Sequence, residues 1–374
     1  MIMAKVHCVI YYNKKAVSPH VRQVYTGFCE LSRKKFISIE FIEHDWNPGH
    51  ITENLVKVQI NGATEIIYDT NDGLYWIYGT LDDNLVYLQD VILPQCDLLF
   101  KRSCSTDLVS KSGSHGRKIY PLGLNYNVTS AYNVMDKICY NGREKLRRYV
   151  KSSSTLSNIL NMESNRLLYY ENFEFPPAML RDYSESKVLF LTRLWDPEDQ
   201  VLERETSSMN ELTKEQRKYI NEKRIECIEA CKKKFKHRFI GGLVNDQYAR
   251  KLAPHLIAPQ SLTSKSGFMN LIKSCPICIA TTGLHNSIGW KFAEYVAASR
   301  AIITEKLNYI LPGKFEVGQN YLEFSTAGDL MRQIDHLSNN RSVMNDMMWE
   351  NYRYYNNYLR PDNLILNTLR LALD

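Results

Sequence analysis

Pro276-Ile277-Cys278-Ile279-Ala280 leads into Thr281-Thr282-Gly283-Leu284-His285-Asn286-Ser287, then Ile288-Gly289-Trp290-Lys291-Phe292-Ala293-Glu294-Tyr295-Val296-Ala297-Ala298, and then Arg300-Ala301-Ile302-Ile303-Thr304. The first and last segments are short, continuous apolar runs, the pattern of strands covered on both faces. The segment from 288 to 298 is apolar at 288, 292, 293, 296 and 297, which is helical spacing. The polar loop between strand and helix contains a glycine. Strand, loop, helix and strand in this order make a βαβ unit and argue for a parallel sheet with helices on both faces.

The same alternation extends in both directions. Val188-Leu189-Phe190-Leu191-Thr192 is a strand closed by Arg193-Leu194-Trp195-Asp196-Pro197. Residues from 210 to about 235 have helical spacing and many charges. Phe239-Ile240-Gly241-Gly242-Leu243 is a strand, and 264–273 a short helix. Helices follow over 329–339, 341–358 and from about 363 to the end. In the first half, strands are expected at 5–12, 36–41, 65–68, 96–101 and 118–121. Ser18-Pro19 opens a helix to about 35, serine as its cap and proline in its first turn. The span 143–160 reads as a basic helix, and Phe173-Glu174-Phe175-Pro176-Pro177 breaks regular structure. The expected fold is α/β: two Rossmann-like domains facing a central cleft, with 1–183 as the first, 184–350 as the second, and helices of 351–374 crossing back to the first.

Composition narrows the classes. The chain has 374 residues, 44% hydrophobic and 24% charged, which excludes a disordered or low-complexity protein. No apolar run reaches the ~18 residues that cross a bilayer, and the start lacks the basic and apolar regions of a secretory signal. Nine cysteines, at 8, 29, 96, 104, 139, 227, 231, 275 and 278, are odd in number and fit reduced thiols of a cytoplasmic protein. Cys227 and Cys231 with the Cys275-Pro276-Ile277-Cys278 pair have spacing that zinc also uses. Here the CxxC enters a strand pattern, so packed thiols are expected. The sequons Asn127-Val128-Thr129 and Asn340-Arg341-Ser342 carry no meaning in a chain that is not secreted. Net charge is +6 (47 Lys and Arg against 41 Asp and Glu), and no nucleic-acid motif is present. Basic clusters at 14–15, 33–35, 101–102, 143–151 and 232–238 read first as solvated faces. They leave open contact with anionic lipid at the inner face of a membrane.

No P-loop, no G-x-G-x-x-G after the first strand and no G-x-S-x-G elbow occurs. The chemistry therefore rests on the Gly283 loop. A helix whose first turn carries Ser287 and Ile288 presents free N–H groups and a positive dipole end to an anion. In an open α/β sheet that end is where ligands bind. Lys291 adds charge one turn on, and Glu294, at i+7 from Ser287, is placed to accept hydrogen bonds from a ribose diol. Arg193 ends a strand at the same cleft, and arginine suits bidentate contact with a diphosphate. Each has an ordinary alternative as a capped surface helix or a structural salt bridge.

These residues resemble the nucleotide-sugar-dependent glycosyltransferases of the GT-B fold, most of all the group 1 set and its capsule and exopolysaccharide relatives. The resemblance is carried by 188–193, by Gly283 to Ile303 with its E-Y-x-A pattern, by Leu311-Pro312-Gly313, by Gly318-Gln319-Asn320-Tyr321-Leu322 and by Asp329-Leu330. It covers about 187–340, and the first half only by architecture. It implies a two-domain GT-B enzyme in which Glu294 binds the donor ribose and Arg193 neutralises the diphosphate. Gly283, His285, Asn286, Ser287 and Lys291 complete that donor site. The chain departs from the pattern at 286: the family's first glutamate of a Glu-x7-Glu pair is Asn286 here, with His285 beside it. The lysine that often follows the strand-end arginine is replaced by the stretch Trp195-Asp196-Pro197.

The resemblance further implies transfer of a sugar from a nucleoside-diphosphate donor to a glycan or lipid-linked acceptor, with no metal or other cofactor required and no nucleic-acid partner. Candidates for the base that takes the acceptor proton are His20, Asp69 and Asp72, each at a strand end or helix start of the first half. Lys101 and Arg102 are candidates for holding an anionic acceptor. Alternative readings are a sugar-nucleotide epimerase of similar fold, which would need more carboxylates near the donor, and a non-catalytic nucleotide-sugar-binding module.

Overall fold

A computed structural model describes residues 6–13, 18–46, 53–138, 165–177, 186–198 and 207–374. Among these, eleven strands form two sheets. The first sheet contains β1 (Val6–Tyr12), β2 (Ile37–Glu43), β3 (Leu55–Ile60), β4 (Thr64–Asp69), β5 (Leu98–Lys101) and β6 (Ile119–Pro121), in the order β2-β1-β3-β4-β5-β6. The second contains β7 (Val188–Thr192), β8 (Phe239–Leu243), β9 (Ile277–Ala280), β10 (Ala301–Thr304) and β11 (Tyr321–Glu323), in the order β11-β10-β9-β7-β8. Helices α1 (Arg22–Arg33), α2 (Ser207–Phe235), α3 (Lys265–Ser274), α4 (Trp290–Ala297), α5 (Ala327–Asn339), α6 (Arg341–Tyr354) and α7 (Pro361–Leu373) cover them.

The second sheet is parallel throughout. Its central strands are continuous apolar runs because both faces are covered: every residue of β7, β9 and β10 is buried. One core packs α3 and α4 on one face through Phe268, Ile272, Phe292 and Val296. The other packs α2 and α5 on the opposite face through Ile228, Phe235, Leu330 and Ile334. Cys275 and Cys278 lie in the first core and Cys227 and Cys231 in the second, so the two cysteine pairs sit on opposite sides of the sheet. All four are buried thiols whose pKa burial pushes up.

The first sheet departs from the expected all-parallel form. Strand β3 pairs antiparallel with both β1 and β4, and the sequence reading had no strand there. Its signal is an alternating Leu55-Val56-Lys57-Val58-Gln59-Ile60 run followed by Asn61-Gly62. Both turn residues have positive φ, 53° and 72°, the conformation that favours Asn-Gly in a hairpin. The remaining pairings, β1 with β2 and β4 with β5 and β6, are parallel. The helix expected over 143–160, the basic stretches 14–15 and 143–151, and Cys139 lie outside the described residues.

The chain end returns to the first sheet. Helix α7 packs against α1 in the core formed by β1, β3 and β4, the Thr368 hydroxyl is 2.7 Å from the Tyr68 hydroxyl of β4, and Lys34 is ion-paired with Asp362. This close approach depends on Gly27, where a Cβ would lie 2.2 Å from the Pro361 carbonyl oxygen. Gly27→Ala must push the helices apart, a strain of about 1–3 kcal/mol. Urea unfolding should show a lower midpoint with an unchanged slope.

Candidate functional site

Counted within its own unit, the second sheet has strand order 2-1-3-4-5. Its connections reverse direction between β7 and β9, and the carboxyl ends of strands at such a reversal are where open α/β sheets bind ligands. Arg193 follows β7 and is exposed. Its guanidinium lies 3.8 Å from the centre of the Trp195 ring, a stacked geometry that favours the cation. Thr281, Thr282 and Gly283 follow β9. Behind both ends sits Arg224 of α2, only 6% exposed. It donates to the Arg193 carbonyl (2.7 Å), the Thr281 hydroxyl (3.1 Å) and the Thr282 carbonyl (3.3 Å). Burial lowers its pKa to about 10, opposed by the Glu305 carboxylate, so it stays charged. Glu305 in turn accepts from the Thr282 N–H (2.8 Å) and hydroxyl (2.9 Å).

The glycine loop is more contorted than its spacing suggests. His285 and Asn286 both adopt left-handed conformations, φ 57° and 56°, which for residues other than glycine are uncommon. The turn is held from three sides. Gln216 of α2 accepts from the His285 N–H (2.9 Å), Tyr309 donates to the His285 carbonyl (2.5 Å), and the Gly283 N–H donates to the Ser287 carbonyl (2.9 Å). The chain is then extended at Ser287 and Gly289, and α4 begins at Trp290 with Gly289 as its cap and no side chain bonded to its first turn. The expected start at Ser287–Ile288 is therefore corrected: two left-handed residues end the turn before the helix, and Ser287 is buried beneath the loop. The Trp290 and Lys291 N–H groups at the start of α4 have no partner within the helix.

Lys291 in that first turn donates to the Leu191 carbonyl of β7 (2.6 Å) and lies over the Phe268 ring. Burial pushes its pKa down to about 8; Glu294 opposes the shift, and Lys265, Arg224 and Arg193 add to it. Glu294, only 3% exposed, is ion-paired with Lys265 at 2.5 Å, and Lys265 also lies over the Phe173 ring. Lys265 thus holds the carboxylate that the sequence reading assigned to a ribose. Among the described residues, neither Arg193 nor Lys291 has a carboxylate within ion-pair distance.

The first-half candidates fall into two groups. Asp69 and Lys101 are fully buried and 3.2 Å apart. Asp69 also accepts from the Trp76 indole (2.6 Å) and the Asn71 N–H (2.8 Å), so this pair braces the interior of the first unit. Asp72, Arg102 and His20 gather at the seam between the units. Arg102 is ion-paired with Asp72 at 2.6 Å and donates to the Ile288 carbonyl of the glycine loop at 2.5 Å. Its other contact is the His20 Nδ1 at 3.3 Å. Burial and the Arg102 charge lower the His20 pKa to about 4 against the pull of Asp72, so the ring is neutral near pH 7. Guanidinium only donates, so Nδ1 accepts and Nε2 carries the proton. In this arrangement His20 is a donor rather than a base. Asn125 accepts from the Trp290 indole (3.1 Å), and Tyr75 packs on His285. Together these contacts close the seam.

No protein-family model and no curated protein matches the chain. Several solved structures are similar to it. HepE of Anabaena, solved with UDP and glucose, is 10% identical over 96% of this chain and 98% of that one, with a TM-score of 0.45. A glycosyltransferase of Rickettsia africae is 12% identical over 97% and 96%, with a TM-score of 0.39. The C-terminal domain of a group 1 family glycosyl transferase of Francisella tularensis is 12% identical over 50% of this chain and 95% of that one, with a TM-score of 0.29.

Sequence reasoning missed Lys265, Gln216, Arg224, Glu305 and Trp195. The signal for Glu305 was present, since it follows a buried strand at the same sheet end as Thr282. Lys265 and Arg224 come from helices whose facing requires the fold. The lowered Lys291 pKa makes a pH prediction. A bound diphosphate raises that pKa again, so binding draws on the protonated form. Affinity for a nucleoside diphosphate should be flat from pH 7 to about 8 and weaken above it, up to tenfold per pH unit. Terminal phosphate titrates near pH 6 and is clear of this window. Lys291→Met should bind more weakly and show no break, as measured by calorimetric titration.

Proposed function

We propose that this chain is a glycosyltransferase that moves a sugar from a nucleoside-diphosphate donor to a glycan or glycolipid acceptor in surface polysaccharide biosynthesis. The observation that carries the reading is the pair of unmatched cations, Arg193 and Lys291, at the crevice where the second sheet changes direction. Of the neighbouring cations, Lys265 is ion-paired with Glu294, and Arg224 is taken up by oxygens of Arg193, Thr281 and Thr282. An anion with two phosphates fits the remainder. The resemblance of residues 187–340 to group 1 enzymes supports the choice of a nucleotide sugar and of a polysaccharide pathway.

The chemistry follows from where charge develops. The bond from the anomeric carbon to the diphosphate oxygen breaks, and the leaving nucleoside diphosphate keeps the electron pair. Cations and N–H groups fixed at that oxygen stabilise the transition state more than the ground state. Arg193, Lys291 and the first turn of α4 supply them. The acceptor hydroxyl oxygen bonds to the anomeric carbon and its proton passes to a base. We assign that role to Asp72, which is partly exposed at the seam and ion-paired with Arg102, with the Nε2–H of His20 nearby. The family resemblance assigns Glu294, held by Lys265, to the ribose diol. A cytoplasmic site with peripheral contact at the inner membrane face suits an acceptor that is lipid-linked.

A thermal-shift screen against UDP-, GDP-, CDP- and dTDP-sugars tests the reading, because a ligand of the native state raises the melting point. One base should stabilise the wild type. Arg193→Ala should weaken that donor about 10- to 100-fold, the value of a charge-assisted hydrogen bond of about 1.5–3 kcal/mol. Asp72→Asn should keep donor binding and lose transfer. A protein that binds a donor yet turns it over with no acceptor in any assay is a binding module instead.

A further inference from the structure

The buried face of α2 changes character along its length. Toward the end of the helix it is apolar, with Cys227, Ile228, Cys231 and Phe235 in the core of the second unit. Toward the start, the same face carries Thr213, Arg217, Asn221 and Arg224, all at most 6% exposed. The spacing from 217 to 221 to 224 is i, i+4, i+7, one stripe of the helix. Buried polar and charged groups of this kind cost stability relative to apolar ones unless every partner is met. Their presence at one end of an otherwise apolar seam calls for a local reason.

Arg217, Asn221 and Arg224 bond mostly to backbone atoms of the loops after β7 and β9. Asn221 accepts from the Trp195 N–H (2.8 Å) and donates to the Trp195 carbonyl (2.6 Å), fixing both backbone groups of the residue on which Arg193 stacks. Arg217 donates to the Asp196 carbonyl (2.6 Å). Arg224 holds the Arg193 carbonyl together with Thr281 and Thr282 on the other side of the crevice. Gln216, next to Arg217, holds the N–H of the left-handed His285. One helix face therefore ties the loop after β7 to the loop after β9, at the two points that carry the anion-binding groups.

We infer that Gln216, Asn221 and Arg224 are positioning residues for the diphosphate of the donor: through the Arg193–Asp196 and Thr281–His285 backbones they set the distance between the Arg193 guanidinium and the first turn of α4. This rests on the proposed reading of the site as a nucleotide-sugar site. None of the three touches the ligand in this scheme. A lysine at 224 keeps the charge but cannot reach three acceptors on two loops at once, because a single ammonium lacks the planar fork of guanidinium.

The test compares nucleoside diphosphates with monophosphates by calorimetric titration, using UDP, GDP, CDP and dTDP and their monophosphates, at a temperature where every variant is fully folded. Arg224→Lys and Asn221→Ala should each weaken the diphosphate bound by the wild type tenfold or more, while the monophosphate changes less than threefold. The pH break set by Lys291 should stay where it is. Gln216→Ala should act in the same direction more weakly, and Glu222→Gln on the exposed face of α2 should change nothing. If Arg224→Lys does not fold, Asn221→Ala and Gln216→Ala carry the comparison. Equal losses for mono- and diphosphate, or none, would show a purely structural stripe and overturn the inference while leaving the site reading in place. A wild type that binds no nucleoside diphosphate overturns both.

Discussion

A parallel sheet whose connections reverse direction leaves its carboxyl end open at one place, and in this protein that place is held together by a buried guanidinium. Arg224 bonds to the loops on both sides of the opening and is balanced by Glu305, which bonds to one of the same loops. The strands alone would fix the sheet but not the spacing of its end loops, since no ladder bond reaches past Thr192 or Ala280. That lashing fixes the backbones of Arg193, Thr281 and Thr282, while Gln216 and Tyr309 hold the contorted turn at His285 that follows.

The first unit meets this site through a small polar seam. Arg102 touches Asp72, His20 and the Ile288 carbonyl, and the Ile310 N–H donates to the Cys104 carbonyl (2.8 Å). Gly73 matters here for a steric reason: a Cβ at that position would stand 2.9 Å from the His285 Cβ. The glycine loop of one unit thus rests directly on the strand-end turn of the other. Asp72, Arg102 and His20 of the first unit are thereby brought against the glycine loop of the second. Return of α7 to the first sheet ties the two units a second time, away from the crevice.

Much of this was legible in the sequence where local pattern and tertiary fate agree. β7 and β8 were read to their observed bounds because short runs of large apolar residues, ended by turn residues, leave little choice. Ser18 and Pro19 were read correctly as the opening of a helix, because capping chemistry is local; the Ser18 hydroxyl accepts from the His20 N–H. Strand β3 was missed although its alternation and its Asn-Gly turn were in plain view, since the expectation of βα alternation left no room for a hairpin. The start of α4 was misplaced because left-handed His285 and Asn286 are stabilised by Gln216 and Tyr309, 69 and 24 residues away in sequence. Asp69 and Lys101 read as exposed strand-end charges, and only packing shows that they neutralise each other inside. The inward stripe of α2 was hidden by its outward charges.

In the proposed reading, the phosphates of an activated sugar sit between the Arg193 guanidinium and the leading N–H groups of α4. A crystal structure of the protein with the nucleoside diphosphate that stabilises it measures this directly. Phosphate oxygens are expected within hydrogen-bond distance of Arg193 and of the backbone at Trp290 and Lys291, at the ends of β7 and β9. A nucleotide seated anywhere else on the molecule, with those groups bonded only to protein, would contradict it.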